Sequence, residues 1–227
     1  MFKWKQYQNE IIILCVRWYL KYPLSYRNIK DMMEERGLFL SHTTIYRWVI
    51  EYSPILSRGL RKSLRKTNDS WRVDETYIKV SGVWTYLYRA VDQNGSTIDF
   101  WLSKSRDKKA AKNFFRKALR SPHNSNPRVI TTDKYAATIK TIKNEIELGR
   151  LKQQTKHRSS KYMNNIIEQD HRHIKRITNI MLGFKSFKSA CYTIQGIESM
   201  NMIRKGQANK FSVLDEVKLI NQIFCVA

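Results

Sequence analysis

The sequence predicts an α/β fold in which a small all-α region precedes a mixed sheet with helices. Three observations support this prediction. Apolar side chains recur at helical spacing over the first 55 or so residues. Residues 71–102 form three apolar and aromatic segments separated by tight-turn pairs, which indicates antiparallel strands. Beyond residue 107, helical segments alternate with short apolar segments, as expected where helices cross between strands of one sheet.

Charge is the most informative property of the composition. The chain has 227 residues, with 42 Lys and Arg against 19 Asp and Glu, so the net charge is +23. Such a balance favours a polyanion as partner. We prefer nucleic acid over an anionic membrane surface because the longest early apolar run, residues 11–16, is too short to span a bilayer. We therefore expect DNA as partner and no membrane.

Cysteine usage indicates the compartment. Cys15, Cys191 and Cys225 are far apart and form no paired motif. A zinc cluster or a disulfide framework is therefore not expected. The pattern fits a reducing cytoplasm, and a DNA partner would place the protein at the nucleoid.

The N-terminal region has the pattern of a helix-turn-helix motif. Helices are predicted over residues 10–22, 25–36 and about 42–52, with Ser41 as the N-cap of the third. In such a motif the first residues of the second helix reach base edges. The candidates for base contact are His42, Thr43, Thr44 and Arg47. A three-helix bundle that serves as a spacer or dimer contact is the alternative.

A basic segment separates this region from the predicted strands. Residues 58–70 read as a linker, and its cations are Arg58, Arg61, Lys62 and Arg65. A solvated linker and a set of phosphate contacts along a DNA groove are both compatible with this composition.

The remaining elements follow a recognisable order. Strands are predicted at 71–80, 83–91, 96–102, 128–132 and 151–155, and helices at 108–119, 135–147, 163–176, 188–205 and 213–223. Three antiparallel strands followed by helix, strand, helix, strand and helix is the order of the RNase H-like fold. A right-handed crossover would make the fourth strand parallel to the first and adjacent to it. Asp74, in strand one, would then meet Asp133, at the end of strand four.

A third acid completes a metal-binding hypothesis. Glu168 lies on the predicted helix after the last strand. Mg²⁺ prefers carboxylate and water oxygens, and two such ions about 4 Å apart can activate a nucleophile and stabilise a leaving oxygen. We expect Asp74 to bridge two Mg²⁺ ions, with Mn²⁺ as a substitute, and Asp133 and Glu168 to complete one ion each.

The other nearby acids fit this role less well. Glu75 alternates to the strand face opposite Asp74. Asp92 lies in a turn, and Asp170 points to another side of the helix from Glu168. The histidines His157, His171 and His173 form no zinc pattern.

Two cations share the predicted face of Glu168. Arg172 follows it by four residues and Lys175 by seven, which places them on one stripe of the helix. This stripe could hold DNA phosphates beside the metal ions. An ordinary ion pair between Glu168 and Arg172 is an equal alternative.

At this point five segments in order make a family resemblance visible. The sequence resembles the DDE transposases of small bacterial insertion sequences of the IS-six type from about residue 2 to residue 206. The segments that carry the resemblance are Ser-His-Thr-Thr-Ile-Tyr-Arg-Trp-Val (41–49), Trp-Arg-Val-Asp-Glu-Thr-Tyr-Ile-Lys-Val (71–80), Tyr-Leu-Tyr-Arg-Ala-Val-Asp (86–92), Asp-Phe-Trp-Leu (99–102) and Asn-Asn-Ile-Ile-Glu-Gln-Asp-His-Arg (164–172).

The resemblance implies a helix-turn-helix domain, here 1–57, and an RNase H-like catalytic domain, here 71–206. The residue pattern adds a basic linker over 58–70 and a helical tail over 207–227. It implies Asp74, Asp133 and Glu168 as catalytic acids, with Lys175 matching the basic residue that such enzymes place seven after the Glu. It also implies binding of terminal inverted repeats and target DNA, Mg²⁺, an oligomer of at least two subunits, and replicative, cointegrate-forming transposition. The tail after Lys210 matches no motif.

Two other functions remain open from sequence. A structure-specific nuclease or resolvase of the same fold would hydrolyse DNA without joining it. A helix-turn-helix regulator would only bind DNA and would leave the three acids without a purpose.

Overall fold

The computed structural model describes residues 2, 6–133, 136–159, 165–181, 183–208 and 212–226. The chain divides into two compact units, one formed by Met1–Leu64 with Ile174–Ala227 and the other by Arg65–His173. We refer to them as the helical unit and the sheet unit. This division differs from the predicted boundaries 1–57, 58–70, 71–206 and 207–227, and the functional roles of those segments stay predictions.

The helices and strands appear in the predicted order. They are α1 (Asn9–Lys21), α2 (Tyr26–Glu34), α3 (His42–Arg61), β1 (Ser70–Val80), β2 (Val83–Asp92), β3 (Thr97–Ser103), α4 (Lys108–Arg120), β4 (Val129–Thr132), α5 (Ala136–Glu147), β5 (Lys156–Ser159), α6 (Asn165–Thr178), α7 (Phe187–Arg204) and α8 (Val213–Phe224). The predicted helix starts at Tyr135 and Met163 lie outside the described residues.

Local capping explains where the early helices begin. The Ser25 hydroxyl accepts from the backbone N–H of Asn28, and the Asn28 side chain accepts from the backbone N–H of Ser25, which completes a capping box at α2. At α3 the Ser41 hydroxyl accepts from the backbone N–H of Thr44 at 3.0 Å. The predicted N-cap at Ser41 is therefore confirmed.

The predicted end of α3 at Tyr52 is wrong. The helix continues through Pro54 to Arg61. A proline inside a helix removes one hydrogen bond, but Tyr52, Leu56 and Leu60 are all buried on one side of the helix. Burial of this continuous apolar stripe outweighs the loss at Pro54.

The C-terminal helix α8 is part of the helical unit. Glu216 of α8 is buried and accepts hydrogen bonds from Lys21 Nζ at 2.8 and 2.9 Å, and from Arg17 Nη1 at 3.3 Å. Phe224 packs against Tyr52 of α3 with ring centroids 5.8 Å apart. The tail that carries no sequence motif therefore has a structural role.

The sheet unit confirms the predicted fold class. Within the described residues, the five strands form one sheet in the order β3-β2-β1-β4-β5. The pairs β1/β2 and β2/β3 are antiparallel, whereas β1/β4 and β4/β5 are parallel. This is the mixed sheet of the RNase H-like fold, and a helical segment precedes it.

The predicted fifth strand at 151–155 is wrong by one segment. The strand that pairs with β4 is Lys156–Ser159, and Leu151 is instead a buried member of the core. The prediction failed because β5 is an edge strand with mostly exposed polar residues, and edge strands need no apolar pattern.

One face of the sheet packs on α4 and carries the core of this unit. Trp71 and Val73 of β1 and Tyr88 of β2 lie in one buried cluster with Phe114 and Phe115 of α4. The other described members are Ala90, Ile98, Ala110, Ala111, Ala118, Ile130, Ile142 and Leu151. The odd-numbered residues of β1 therefore face α4, and the even-numbered residues face the other side.

Among the residues that the structure describes, no helix has the length and apolar character that crossing a membrane requires.

We expect Phe224→Ala to lower the free energy of unfolding by about 3–5 kcal/mol, because truncating a fully buried ring leaves a cavity. Leu214→Ala on the same helix is the matched control, since Leu214 is 70% exposed and its loss should change stability by less than about 0.5 kcal/mol. Urea denaturation followed by circular dichroism at 222 nm measures both. Equal effects of the two variants would contradict the packing of α8 described above.

Candidate active site

Parallel pairing brings Asp74 and Asp133 to the same edge of the sheet. The register of β1 and β4 pairs Val73 with Thr132. Asp74 directly follows Val73, and Asp133 directly follows Thr132. The prediction that these two strand positions are neighbours is confirmed. β4 ends at Thr132, whereas β1 continues to Val80. The two carboxylates therefore lie where β1 stops pairing with β4.

Three carboxylates converge at this edge. Oxygen atoms of Asp74, Glu75 and Asp133 all lie within 4.8 Å of one another, the one such group found among the described residues. Glu75 was set aside from sequence because strand alternation turns it away from Asp74. The alternation is present, but a long glutamate side chain at the strand edge still brings its oxygen close to the other two.

Arg106 holds two of these carboxylates together. Its Nη2 donates to Glu75 Oε2 at 3.2 Å and to Asp133 Oδ2 at 3.3 Å. The Thr138 hydroxyl, on α5, donates to the other oxygen of Glu75 at 3.4 Å. Arg106 lies between β3 and α4, so the loop before α4 is attached to the site through this side chain.

The crowding of negative charge affects protonation. Burial raises the pKa of the Glu75 carboxyl to about 7. The Arg106 guanidinium opposes this increase in pKa, whereas the charges of Asp133 and Asp74 add to it. For Arg106 itself, burial lowers the pKa, but Glu75, Asp133 and Tyr77 raise it above its ordinary value. The charges of Asp74 and Asp133 therefore favour the protonated form of Glu75, whereas the charge of Arg106 favours its ionised form.

Asp74 is oriented from the opposite face of the sheet. His171 Nε2, on α6, lies 3.2 Å from Asp74 Oδ2, and His171 Nδ1 lies 3.3 Å from Arg89 Nη1. A guanidinium can only donate, so Nδ1 must accept and Nε2 must carry the proton that is donated to Asp74. Burial holds the pKa of His171 below its ordinary value, which keeps the imidazole neutral.

Arg89 is the buried centre of this arrangement. Its side chain is fully buried on β2, and its Nη2 donates to Asp170 Oδ2 at 2.6 Å. Asp170 and His171 lie on the buried side of α6 between Ile167 and Ile174. Neither Arg89 nor His171 was predicted from the sequence as a site residue. The signal was present, because Arg89 occupies a strand position between buried Leu87 and Val91 and therefore needs a buried acidic partner.

Glu168 lies on the exposed side of the same helix. Arg172 and Lys175 are exposed as well, as expected for positions four and seven residues further along. Glu168 is not a member of the group of carboxylates around Asp74. The structure therefore brings Asp74 and Asp133 together. Glu168 lies three residues before His171 on α6, and its place in the site stays a prediction.

The donor set of the cluster fits a hard divalent cation. Each member offers a carboxylate oxygen, and oxygen is the ligand atom that Mg²⁺ and Mn²⁺ prefer. The side chains of Asp74 and Asp133 are partly accessible, so water molecules could complete the coordination that Mg²⁺ usually keeps. Asp74 and Asp133 fit the predicted metal site.

The predicted base-reading residues lie at the start of α3. His42, Thr43 and Arg47 are exposed, whereas Thr44 is partly buried and its hydroxyl hydrogen-bonds with Ser41 at 2.8 Å. His42 and Thr43 also border a cavity of about 320 Å³ in the helical unit, together with Lys185. The exposure of three of these four side chains is compatible with the predicted base contacts.

The predicted linker cations are divided between helix and loop. Arg58 and Arg61 lie in the last turns of α3, Lys62 is its C-cap, and Arg65 follows in the segment before β1. Half of the basic run is therefore helical, because α3 extends further than predicted.

The comparisons with known proteins agree with one another. A family model described as a DDE domain, of IS240-type transposases, matches residues 68–207. The chain is 42% identical over 205 residues to the transposase for insertion sequence-like element IS431mec of Staphylococcus aureus, and the match covers 90% of this chain and 88% of that protein. Identity and coverage are the same for the Staphylococcus aureus transposase of insertion sequence element IS257 in transposon Tn4003.

The chain is also similar to a solved structure. The catalytic core domain of HTLV-2 integrase in complex with magnesium (dimeric form) gives a TM-score of 0.45 at 19% sequence identity. The match covers 65% of this chain and 91% of that chain.

We expect Asp170→Ala to lower the free energy of unfolding by about 3–5 kcal/mol, because it leaves the Arg89 charge buried without its carboxylate. The double variant Arg89→Leu with Asp170→Leu should recover most of this loss, since apolar side chains tolerate the same burial. Urea denaturation measures all variants.

Asp69→Ala is the matched control for the ion pair. Asp69 pairs with Arg128 at 3.4 Å, but both side chains are well exposed, so its removal should change the unfolding free energy by less than about 1 kcal/mol. A loss at Asp170 no larger than the loss at Asp69 would contradict the structural role given to Arg89.

Proposed function

Because the chain belongs to the DDE transposases of bacterial insertion sequences, we propose that it binds the terminal inverted repeats of its element and catalyses metal-dependent cleavage and transfer of DNA strands. The transposase assignment follows from the family. The proposal of metal-dependent cleavage and strand transfer rests on the convergence of Asp74 and Asp133 at one edge of the sheet, in a chain of net charge +23.

Asp74, Asp133 and Glu168 are the proposed catalytic acids and metal ligands. Asp74 and Asp133 are supported by their proximity, and Glu168 by its place on α6, whose buried side docks beside Asp74 through His171. When bound, two Mg²⁺ ions would activate the attacking hydroxyl and stabilise the leaving oxygen, and Mn²⁺ is the proposed substitute. Crowding of carboxylates makes this edge of the sheet attractive to cations.

The residues around the acids position them. The N–H of His171 holds one oxygen of Asp74 and leaves the other oxygen available. Arg106 holds one oxygen of Asp133 and one oxygen of Glu75. We assign Glu75 the role of orienting Arg106, because its carboxyl is buried and is held by Arg106 and Thr138.

DNA contact is proposed for three groups of residues. Base contacts from the start of α3 are supported by the exposure of His42, Thr43 and Arg47, with Thr44 beside its cap. Phosphate contacts are proposed for the exposed cations of α6 and for the basic end of α3. These cations are Arg172, Lys175, Arg58, Arg61, Lys62 and Arg65.

The assembly is proposed to contain at least two subunits. An element has two ends, and each chain carries one copy of the three acids, so pairing of two chains would supply one site per end. We propose a replicative, cointegrate-forming reaction on the element ends and a target duplex. The proposed location is the cytoplasm, at the nucleoid, which is compatible with reduced thiols at Cys15, Cys191 and Cys225.

We expect Asp74→Asn, Asp133→Asn and Glu168→Gln each to reduce strand cleavage by about 10³-fold or more, since each removes a charged ligand worth several kcal/mol of barrier lowering. Glu75→Gln should reduce it less, by about 10- to 100-fold, because Glu75 acts through Arg106. The measurement is cleavage of labelled inverted-repeat duplexes on denaturing gels with Mg²⁺ or Mn²⁺.

Gel-shift binding of the same duplexes in EDTA is the control, and all four variants should bind like the wild type. A variant at one of the three acids that cuts at the wild-type rate removes that residue from the site. Joining of pre-cut ends to a plasmid target separates a transposase from a nuclease of the same fold. Absence of nicking by the wild type with both metals would favour a regulator that only binds DNA.

A further inference from the structure

The β1–β2 hairpin carries an exposed aromatic face that the proposed mechanism does not use. Trp84 is 60% exposed and Tyr77 is 48% exposed. Tyr86 lies opposite Tyr77, and Lys79 lies opposite Trp84. Because these are alternate positions on paired strands, the four side chains share one face of the hairpin. We call this set, Tyr77, Lys79, Trp84 and Tyr86, the hairpin platform.

The two faces of the hairpin differ sharply. Ile78, Val80, Thr85 and Leu87, on the opposite face, are all buried. The outward face of a hairpin in water is normally polar, so two well-exposed aromatic rings next to one lysine need an explanation. Val83, at the tip, is 64% exposed, but it lies opposite Val80 and belongs to the other face.

The turn and the contacts between side chains define the geometry of the platform. Ser81 and Gly82 both have positive φ, 50° and 79°, which is the backbone of a two-residue hairpin turn. The rings of Tyr77 and Tyr86 lie 5.3 Å apart, and Lys79 Nζ lies 5.9 Å from the ring centroid of Trp84. A ligand would therefore meet preformed aromatic surfaces beside a positive charge.

The platform is continuous with the carboxylate site. Glu75 and Tyr77 are alternate residues on the same face of β1, about 7 Å apart at ~3.3 Å per residue. Tyr77 also acts electrostatically on Arg106, which holds Glu75 and Asp133. Lys79, opposite Trp84, is about 13 Å from Glu75 along the strand, the length of roughly four nucleotides at ~3.4 Å each.

We propose that the hairpin platform binds unpaired bases of a DNA strand whose backbone lies at the carboxylate site. Aromatic rings stack on bases of any sequence, and a neighbouring cation contacts the phosphates. A second copy of the chain could also cover an apolar face, but the lysine on the platform, the net charge of +23 and the adjacent DNA-cutting site favour a polyanion. The inference rests on the proposed function, because it assumes that DNA reaches this edge of the sheet.

The test is binding of a fluorescein-labelled single-stranded 20-mer and of its duplex to the full chain, measured by fluorescence anisotropy in EDTA. We expect Trp84→Ala to raise the Kd for the single strand about tenfold and to change the Kd for the duplex less than about twofold. Trp84→Phe should restore most of the affinity, because it keeps a stacking ring. Tyr77→Ala is the second variant and should weaken single-strand binding in the same direction.

Leu148→Ala is the matched control, since Leu148 is 51% exposed in the same unit and is not part of the platform. The single strand should also quench tryptophan emission less in Trp84→Ala than in the wild type. An unchanged single-strand Kd in Trp84→Ala, or an equal loss for the duplex, overturns the proposal. Conversion of a dimer to a monomer by Trp84→Ala in sedimentation also overturns it and assigns the face to a second copy.

Failure of the platform and failure of the proposed function are distinguishable. The binding test contains no metal and needs no cleavage, so it does not depend on Asp74, Asp133 or Glu168. If the wild type cuts inverted-repeat DNA but Trp84→Ala binds the single strand normally, only the platform is rejected.

Discussion

The buried charge of Arg89 is the constraint on which the candidate active site depends. A guanidinium without exposure in the middle of β2 is tolerated only where acceptors satisfy it, and Asp170 and His171 are adjacent residues that approach it from α6. The helix is therefore fixed in rotation and in register over the sheet. Fixing α6 in this way also orients Asp74 and determines which side of the helix, the side of Glu168, faces solvent.

A buried ion pair of this kind specifies geometry more than it adds stability. Leucine at both positions would pack in the same space, yet it would orient neither His171 nor Asp74. The polar chain from Asp170 through Arg89 and His171 to Asp74 makes one acid dependent on residues of two other elements, β2 and α6. Catalytic groups held by such supporting contacts keep their positions when charge is added or removed nearby.

Much of this arrangement could be predicted from the sequence because strand pairing follows simple periodicities. Tight turns fixed the antiparallel strands, and the crossover placed Asp133 beside Asp74.

Other features could not be predicted from local pattern. The end of α3 depends on packing of Leu56 and Leu60 that outweighs Pro54, and β5 is a polar edge strand. Glu75 was excluded because strand alternation places it on the face opposite Asp74. Alternation does not describe the length of a side chain, and the glutamate is long enough to bring its oxygen into the cluster.

The period of two along β1 explains how one strand supports several roles. Even positions place Asp74 toward α6, where His171 meets it, and odd positions place Glu75 toward Arg106 and α5. Beyond Val73, β1 pairs with β2 alone, and its odd face is exposed at Tyr77 and Lys79. A strand that is longer than its parallel neighbour thus carries both the carboxylate cluster and the aromatic face.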